Sequence, residues 1–163
     1  KSAHSYLAIT AQYSLAVHLD TDSGKLNIRV AAWIESQNSL LVSKYPDGII
    51  SLPGGRVKFS ETTSEAVKRE VLEETGENFY DVELFSVIEN FFLEKQSKKD
   101  FHEFLFVYKG KIKEKKEYHG VDKDDQDITW ESLKIINELK PSIFSELAGF
   151  KNKNHIIHLV NTD

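Results

Sequence analysis

At 163 residues, with 40% hydrophobic and 29% charged side chains, the chain has the size and composition of one soluble globular domain over residues 1–163. A formal net charge of −5 argues against a dedicated binder of nucleic acid or anionic membrane, and no apolar run reaches bilayer-spanning length. The absence of cysteine excludes disulfides and thiolate metal sites, and it fits a cytoplasmic location.

The first third reads as strands joined by turns. Residues 15–19 and 26–34 flank Asp20, Thr21, Asp22, Ser23 and Gly24, which predicts a hairpin. Residues 40–43 and 49–52 flank a second turn at Pro46, Asp47 and Gly48. A helix follows the turn at Leu52, Pro53, Gly54 and Gly55. Thr62 with Glu65 three residues on fits a capping box, residues 65–74 contain neither Gly nor Pro, and Gly76 suits the left-handed position past the last turn. Residues 82–92 and 101–108 are aromatic and β-branched and predict a long hairpin closed by the polar stretch 95–100. The charged stretch 111–127 predicts a mobile loop, and the five lysines within 109–116 read as a solvated edge. Ile128, Thr129 and Trp130 lead into a helical tail in which Pro141 is placed to begin a last helix. His155 and His158 are expected to be structural or disordered.

The predicted helix carries the strongest chemical signal. Glu70, Glu73, Glu74 and Glu77 recur at i, i+3, i+4 and i+7, which places them on one face. Like charges at that spacing destabilise a helix by roughly 0.2–0.5 kcal/mol per pair. Two carboxylates about 4 Å apart repel by about 4 kcal/mol at an effective dielectric of 20. A bound divalent cation would remove the penalty, while Val67 and Val71 would pack the neighbouring face on a sheet.

Gly55, Glu61 and the run Arg69, Glu70, Val71, Leu72, Glu73, Glu74, Thr75, Gly76 match the pattern of the Nudix hydrolase family (MutT-like) at every defining position and gap but the last. Two departures occur: Glu77 stands at the final apolar position, and Ser60 stands where many members have Gly. The chain resembles that family, which implies an α/β fold, a Nudix α/β/α sandwich with a mixed β-sheet. It also implies hydrolysis, dependent on Mg²⁺ or Mn²⁺, of the phosphoanhydride of a nucleoside diphosphate linked to another moiety. The partner is then a small-molecule nucleotide, a nucleoside triphosphate or a nucleotide derivative, with neither membrane nor nucleic acid. Oligomeric state is left open, a dimer included.

By the same resemblance Glu70, Glu73 and Glu74 are the expected metal ligands and, with Arg69, the catalytic groups. The Gly55 carbonyl and Glu61 are further ligands, Glu61 bracing Arg69 or serving a second metal. Arg69 orients the acids. Substrate contacts are expected from Phe91 and Phe104, with Phe92, Phe106 and Tyr108 as aromatic neighbours suited to stacking a base. Asp124 or Asp125 is expected as an acid from a late loop, with Glu103 as another candidate. Glu77 is expected to face solvent and be dispensable. No subfamily marker fixes the substrate: the proline of the ADP-ribose type and the tyrosine of the dinucleoside polyphosphate type are both missing. A non-catalytic nucleotide-binding or sensor domain on the same fold is the alternative, and the retention of Glu70, Glu73 and Glu74 argues for the enzyme.

Overall fold

The computed structural model describes residues 16–121 and 126–162. Asp124 and Asp125 lie outside the described residues. In chain order the elements are β1 (His18–Asp20), β2 (Gly24–Trp33), β3 (Glu35–Ser36), β4 (Ser39–Lys44), β5 (Ile50–Ser51), β6 (Gly54–Arg56) and α1 (Thr63–Thr75). There follow β7 (Tyr80–Leu93), β8 (Asp100–Lys111), β9 (Asp127–Ser132), a 3-10 segment (Leu133–Glu138), α2 (Phe144–Leu147), a second 3-10 turn (Ala148–Phe150) and β10 (Ile157–Asn161).

The main sheet runs β1-β2-β8-β7-β10, with β6 pairing to the part of β2 beyond β1. It is mixed: β2 is parallel to β8 and β10 to β7, while β1–β2, β2–β6 and β7–β8 are antiparallel. A second sheet is centred on β4, which pairs with β3, β5 and β9. Both predicted N-terminal turns and the β7–β8 hairpin form at the expected places.

Strand β2 divides the core by its two-residue period. Val30, Ala32 and Ile34 pack with Ala66, Val67 and Val71 of α1, together with Leu41 and Phe79. Ala31 and Trp33 face the other way, onto Leu105 and Val107 of β8 and onto Ile136, Leu139, Phe144 and Leu147 of the C-terminal segment. The sheet is thus layered between α1 and that segment, the α/β/α arrangement expected. Helix α1 begins as its sequence predicts: Thr62 accepts from Glu65 N–H while Glu65 accepts from Thr62 N–H. It ends at Gly76, whose φ of +74° suits a residue without Cβ and lets its N–H reach the Leu72 carbonyl.

The tail departs from expectation. Residues 127–132 form a strand on β4, the following turns are mostly 3-10, and residues 157–161 form a strand parallel to β7. The aliphatic Ile157, Leu159 and Val160 give this last segment a pleated partner, and Ser86 Oγ donates to the Ile157 carbonyl at 2.8 Å. His158 accordingly sits in β10, 3.0 Å from the Glu89 carboxylate. Two one-residue register shifts interrupt β7 against β8, between Tyr80 and Glu83 and between Leu84 and Ser86. Leu84 consequently packs toward α1, whereas Phe85 packs into the opposite core. Among the described residues no helix is long and apolar enough to cross a membrane.

Candidate active site

Helix α1 lies against β2 and β6, so its acidic face meets the backbone of Gly54 and Gly55. Arg69 is the centre of the cluster. Its Nε donates to Glu61 Oε1 at 2.6 Å, one terminal nitrogen donates to Glu70 at 2.7 Å and Glu73 at 3.1 Å, and the other donates to Glu61 Oε2 and the Arg56 carbonyl, each at 3.0 Å. These bonds gather three of the predicted acids around one guanidinium. The bonds to Glu61, then those to Glu70, hold the guanidinium more firmly protonated than usual.

The two acids nearest Arg69 are shifted in opposite directions. Hydrogen bonding from Arg69 holds the Glu61 carboxyl below its ordinary range, and the Lys58 N–H adds to this at 2.9 Å. Burial pushes the Glu70 carboxyl up, against the pull of Arg69. Its carboxylate presses on Gly55: a Cβ there would stand 2.4 Å from Glu70 Cδ. Only glycine leaves room for that approach. Glu74, 7% exposed, accepts from Gly54 N–H at 3.1 Å and from Gln126 Nε2 at 2.7 Å.

Among the described residues no three acidic or imidazole groups are clustered as a metal cage, and Glu61, Glu70 and Glu73 turn to Arg69. The donors are nonetheless all oxygen, and Glu70 is a partly buried carboxylate beside an unshielded backbone. That chemistry suits a hard divalent cation.

Glu77 does not face solvent. Its side chain is 14% exposed and pairs with Lys115 from the charged stretch after β8. The sequence predicts mobility for that stretch, yet its described part is tied down. Tyr118 O–H donates to the Lys113 carbonyl and accepts from Trp130 Nε1 and Lys115 N–H, while Val121 N–H donates to the Glu73 carbonyl at 2.7 Å. Val121 and Gln126, which bracket the undescribed residues, therefore both contact the acidic end of α1.

A cleft of about 650 Å³ opens beside Gly54 on the face of the sheet opposite α1. Arg29, Tyr45, Asn90, Phe92, Glu103, Phe144 and Asn161 are among the residues that line it. Burial raises the Tyr45 hydroxyl pKa, and the nearby Glu74 charge adds to the shift. Of the expected substrate residues, Glu103 and Phe92 reach the cleft. Phe91 and Phe104 do not line it: Phe91 stacks on His102 and Phe104 packs tilted against it, on the other face of the sheet, as their parity in the β7–β8 register dictates. Phe106 and Tyr108 belong with the core on the α1 side.

Arg29, Tyr45, Asn90, Gln126 and Asn161 were missed from sequence. Asn90 alone carried a local signal, an amide between the apolar Ile88 and Phe92 at the two-residue period of the strand.

Comparison with known proteins agrees with this fold. Residues 25–148 match the model of the NUDIX domain. A Bacillus subtilis (strain 168) protein provisionally assigned as an 8-oxo-dGTP diphosphatase is 52% identical over 44 residues, which span 27% of this chain and 30% of that protein. A NUDIX hydrolase from Nitrosomonas europaea superposes with a TM-score of 0.58 at 23% identity, covering 76% of this chain and 86% of that one. The MutT protein of Bacillus halodurans gives 0.60 at 16% identity, with 83% and 90% covered. An ADP-ribose pyrophosphatase from Streptococcus suis gives 0.57 at 15% identity, with 83% and 98% covered. At these identities the structural likenesses show the fold.

Proposed function

The chain belongs to the NUDIX family, and from that premise we propose that it hydrolyses the phosphoanhydride of a nucleoside triphosphate or nucleotide derivative with Mg²⁺ or Mn²⁺. The observation that carries the reading is the junction of two features at Gly54 and Gly55. One is a carboxylate cluster centred on Arg69, and the other is a cleft of about 650 Å³ with polar groups on its floor. The first suits the anionic phosphates through a cation, and the second is large enough for a nucleoside.

Glu70, Glu73 and Glu74 would hold the cation, with the Gly55 carbonyl and Glu61 as further oxygen donors. When bound, the cation neutralises phosphate charge and lowers the pKa of water. Arg69 keeps the acids aligned. Glu70, whose burial makes it a stronger proton acceptor than an exposed carboxylate, is the proposed base. Arg29 at the cleft wall supplies positive charge toward the phosphates, and Phe92 gives apolar surface for a base. The 8-oxo-dGTP diphosphatase and ADP-ribose pyrophosphatase among the similar proteins are both named for nucleotide substrates, which supports the substrate class without choosing within it.

The test is hydrolysis of a nucleotide panel with Mg²⁺ in ¹⁸O-water. The label is expected on a phosphate product, and Glu70→Gln should lower turnover by roughly 10²–10⁴ while leaving substrate binding nearly intact. Label confined to a sugar or acyl fragment, or equal losses in turnover and binding, would sink the reading.

A further inference from the structure

Three side chains on the cleft floor are direct register partners on adjacent strands. Asn161 of β10 lies opposite Asn90 of β7, which lies opposite Glu103 of β8. The pleat aims all three into the cleft. Asn161 Nδ2 donates to Asn90 Oδ1 at 2.7 Å, and Asn90 Nδ2 donates to Glu103 Oε1 at 3.5 Å. Arg29 Nε stands 3.9 Å from the other Glu103 oxygen. Asn90 is 4% exposed and Glu103 8%.

The direction of this chain is dictated by its charged end. A carboxylate beside a guanidinium only accepts hydrogen bonds. Asn90 must therefore turn its NH₂ toward Glu103 and its oxygen toward Asn161, and Asn161 must answer with its own NH₂. Turning either amide over would set acceptor against acceptor in a buried place, where unmade bonds are expensive. What Asn161 has left for the cleft is its carbonyl oxygen and its second N–H.

We propose that Glu103, acting through Asn90, locks the orientation of the Asn161 carboxamide, and that this amide reads the nucleobase by an edge offering a donor beside an acceptor. The inference rests on the nucleotide reading of the cleft. Glu103 and Asn90 are positioning residues, and Asn161 is the one that meets substrate. A carboxamide pairs with such an edge through two parallel hydrogen bonds. Asn161→Asp would replace that face by two acceptors, which suit the adjacent ring N–H and amino group of guanine.

The experiment reverses the chain. Asn161→Asp alone, at pH 8, sets its carboxylate against Asn90 Oδ1, while Glu103 forbids Asn90 to turn over. The expected result is a fall in melting temperature of roughly 2–4 °C. Adding Glu103→Gln frees Asn90 to turn. The glutamine amide introduced on β8 then donates to Asn90, Asn90 donates to the carboxylate introduced on β10, and net charge equals that of the wild type. The double variant should recover the lost stability, although Glu103→Gln on its own gives no gain. Calorimetric competition with AMP and GMP should show the GMP-to-AMP affinity ratio rising roughly tenfold in the double variant over wild type. Should Asn161→Asp fail to fold, recovery of folding by the second change is the same readout.

Additive temperature shifts would overturn the relay. An unchanged GMP-to-AMP ratio in a recovered double variant would overturn the role of Asn161 in base reading. Neither readout needs turnover, so absence of hydrolysis would count against the functional proposal alone.

Discussion

The acid cluster and the cleft floor meet at Gly54, yet they are held in opposite ways. The cluster hangs on one cation, with five hydrogen bonds radiating from Arg69. The floor is a line in which each side chain holds its neighbour once, and the strands themselves set the spacing. A hub concentrates both order and vulnerability in one residue. A line spreads them over the sheet and transmits direction instead. The division suits the work proposed for each: phosphate chemistry needs fixed charge, while base reading needs a fixed sequence of donors and acceptors.

Removing the hub should have the largest effect. Arg69→Gln leaves Glu61 and Glu70, 15% and 13% exposed at the side chain, without their cation. Loss of one member of a fully buried ion pair costs about 3–5 kcal/mol, an upper bound for these partly buried groups. Urea unfolding of metal-free protein should show a loss below that bound and above the roughly 1 kcal/mol of a single break in the floor. Equal losses at the two places would end the contrast.

Gly55→Ala should come next. The new methyl would overlap the Glu70 carboxylate, and a displacement of about 1 Å in such a site can lower turnover roughly 10²-fold. Steady-state kinetics should place that loss in kcat, whereas floor variants should move KM and base preference. A Gly55→Ala enzyme altered only in KM would show that the two regions do not divide the work.

The smallest effect is expected at alkaline pH. Burial raises the Tyr118 pKa above its ordinary value, so the unfolded chain releases this proton first as pH rises. Between the unfolded and folded pKa values the native state binds more protons, and stability falls with increasing pH. The loss concerns the loop docked on the acidic end of α1, because an ionised Tyr118 cannot donate to the Lys113 carbonyl. Hydrogen exchange should show residues 113–121 loosening before β10 does, and Tyr118→Phe should remove the pH dependence of that loosening. Simultaneous loosening of both regions would argue against separate anchoring.

What could be read in advance followed the same division. The cluster is local in sequence: capping box, acidic stripe and Gly76 lie within one helix, where spacing alone fixes the face. The floor is not local. Asn161 and Asn90 are 71 positions apart, and nothing in either neighbourhood announces that a parallel strand brings them together. Phe91 and Phe104 looked suited to a base, yet which aromatic faced the cleft depended on hairpin register, which composition does not reveal. Glu77 appeared free for a similar reason: its partner Lys115 arrives from a loop with no periodicity. The tail misled because its helical turns are short and the strand after them finds a partner only in the assembled sheet.

The two register shifts in β7 have a consequence for how such a chain can change over generations. They lie between the helix connection and the half of β7 that carries Asn90, and they work as an expansion joint. Beyond them, alignment is set from the other end, by the hairpin into β8. Loss of one codon at Phe85 would remove the second of the two shifts, together with one core aromatic, and leave Asn90 over the cleft. Lineages can therefore lengthen or trim the link between α1 and β7 residue by residue while the pocket floor keeps its chemistry. The same small deletion beyond Ser86 has no joint to absorb it and would put one half of the strand out of phase.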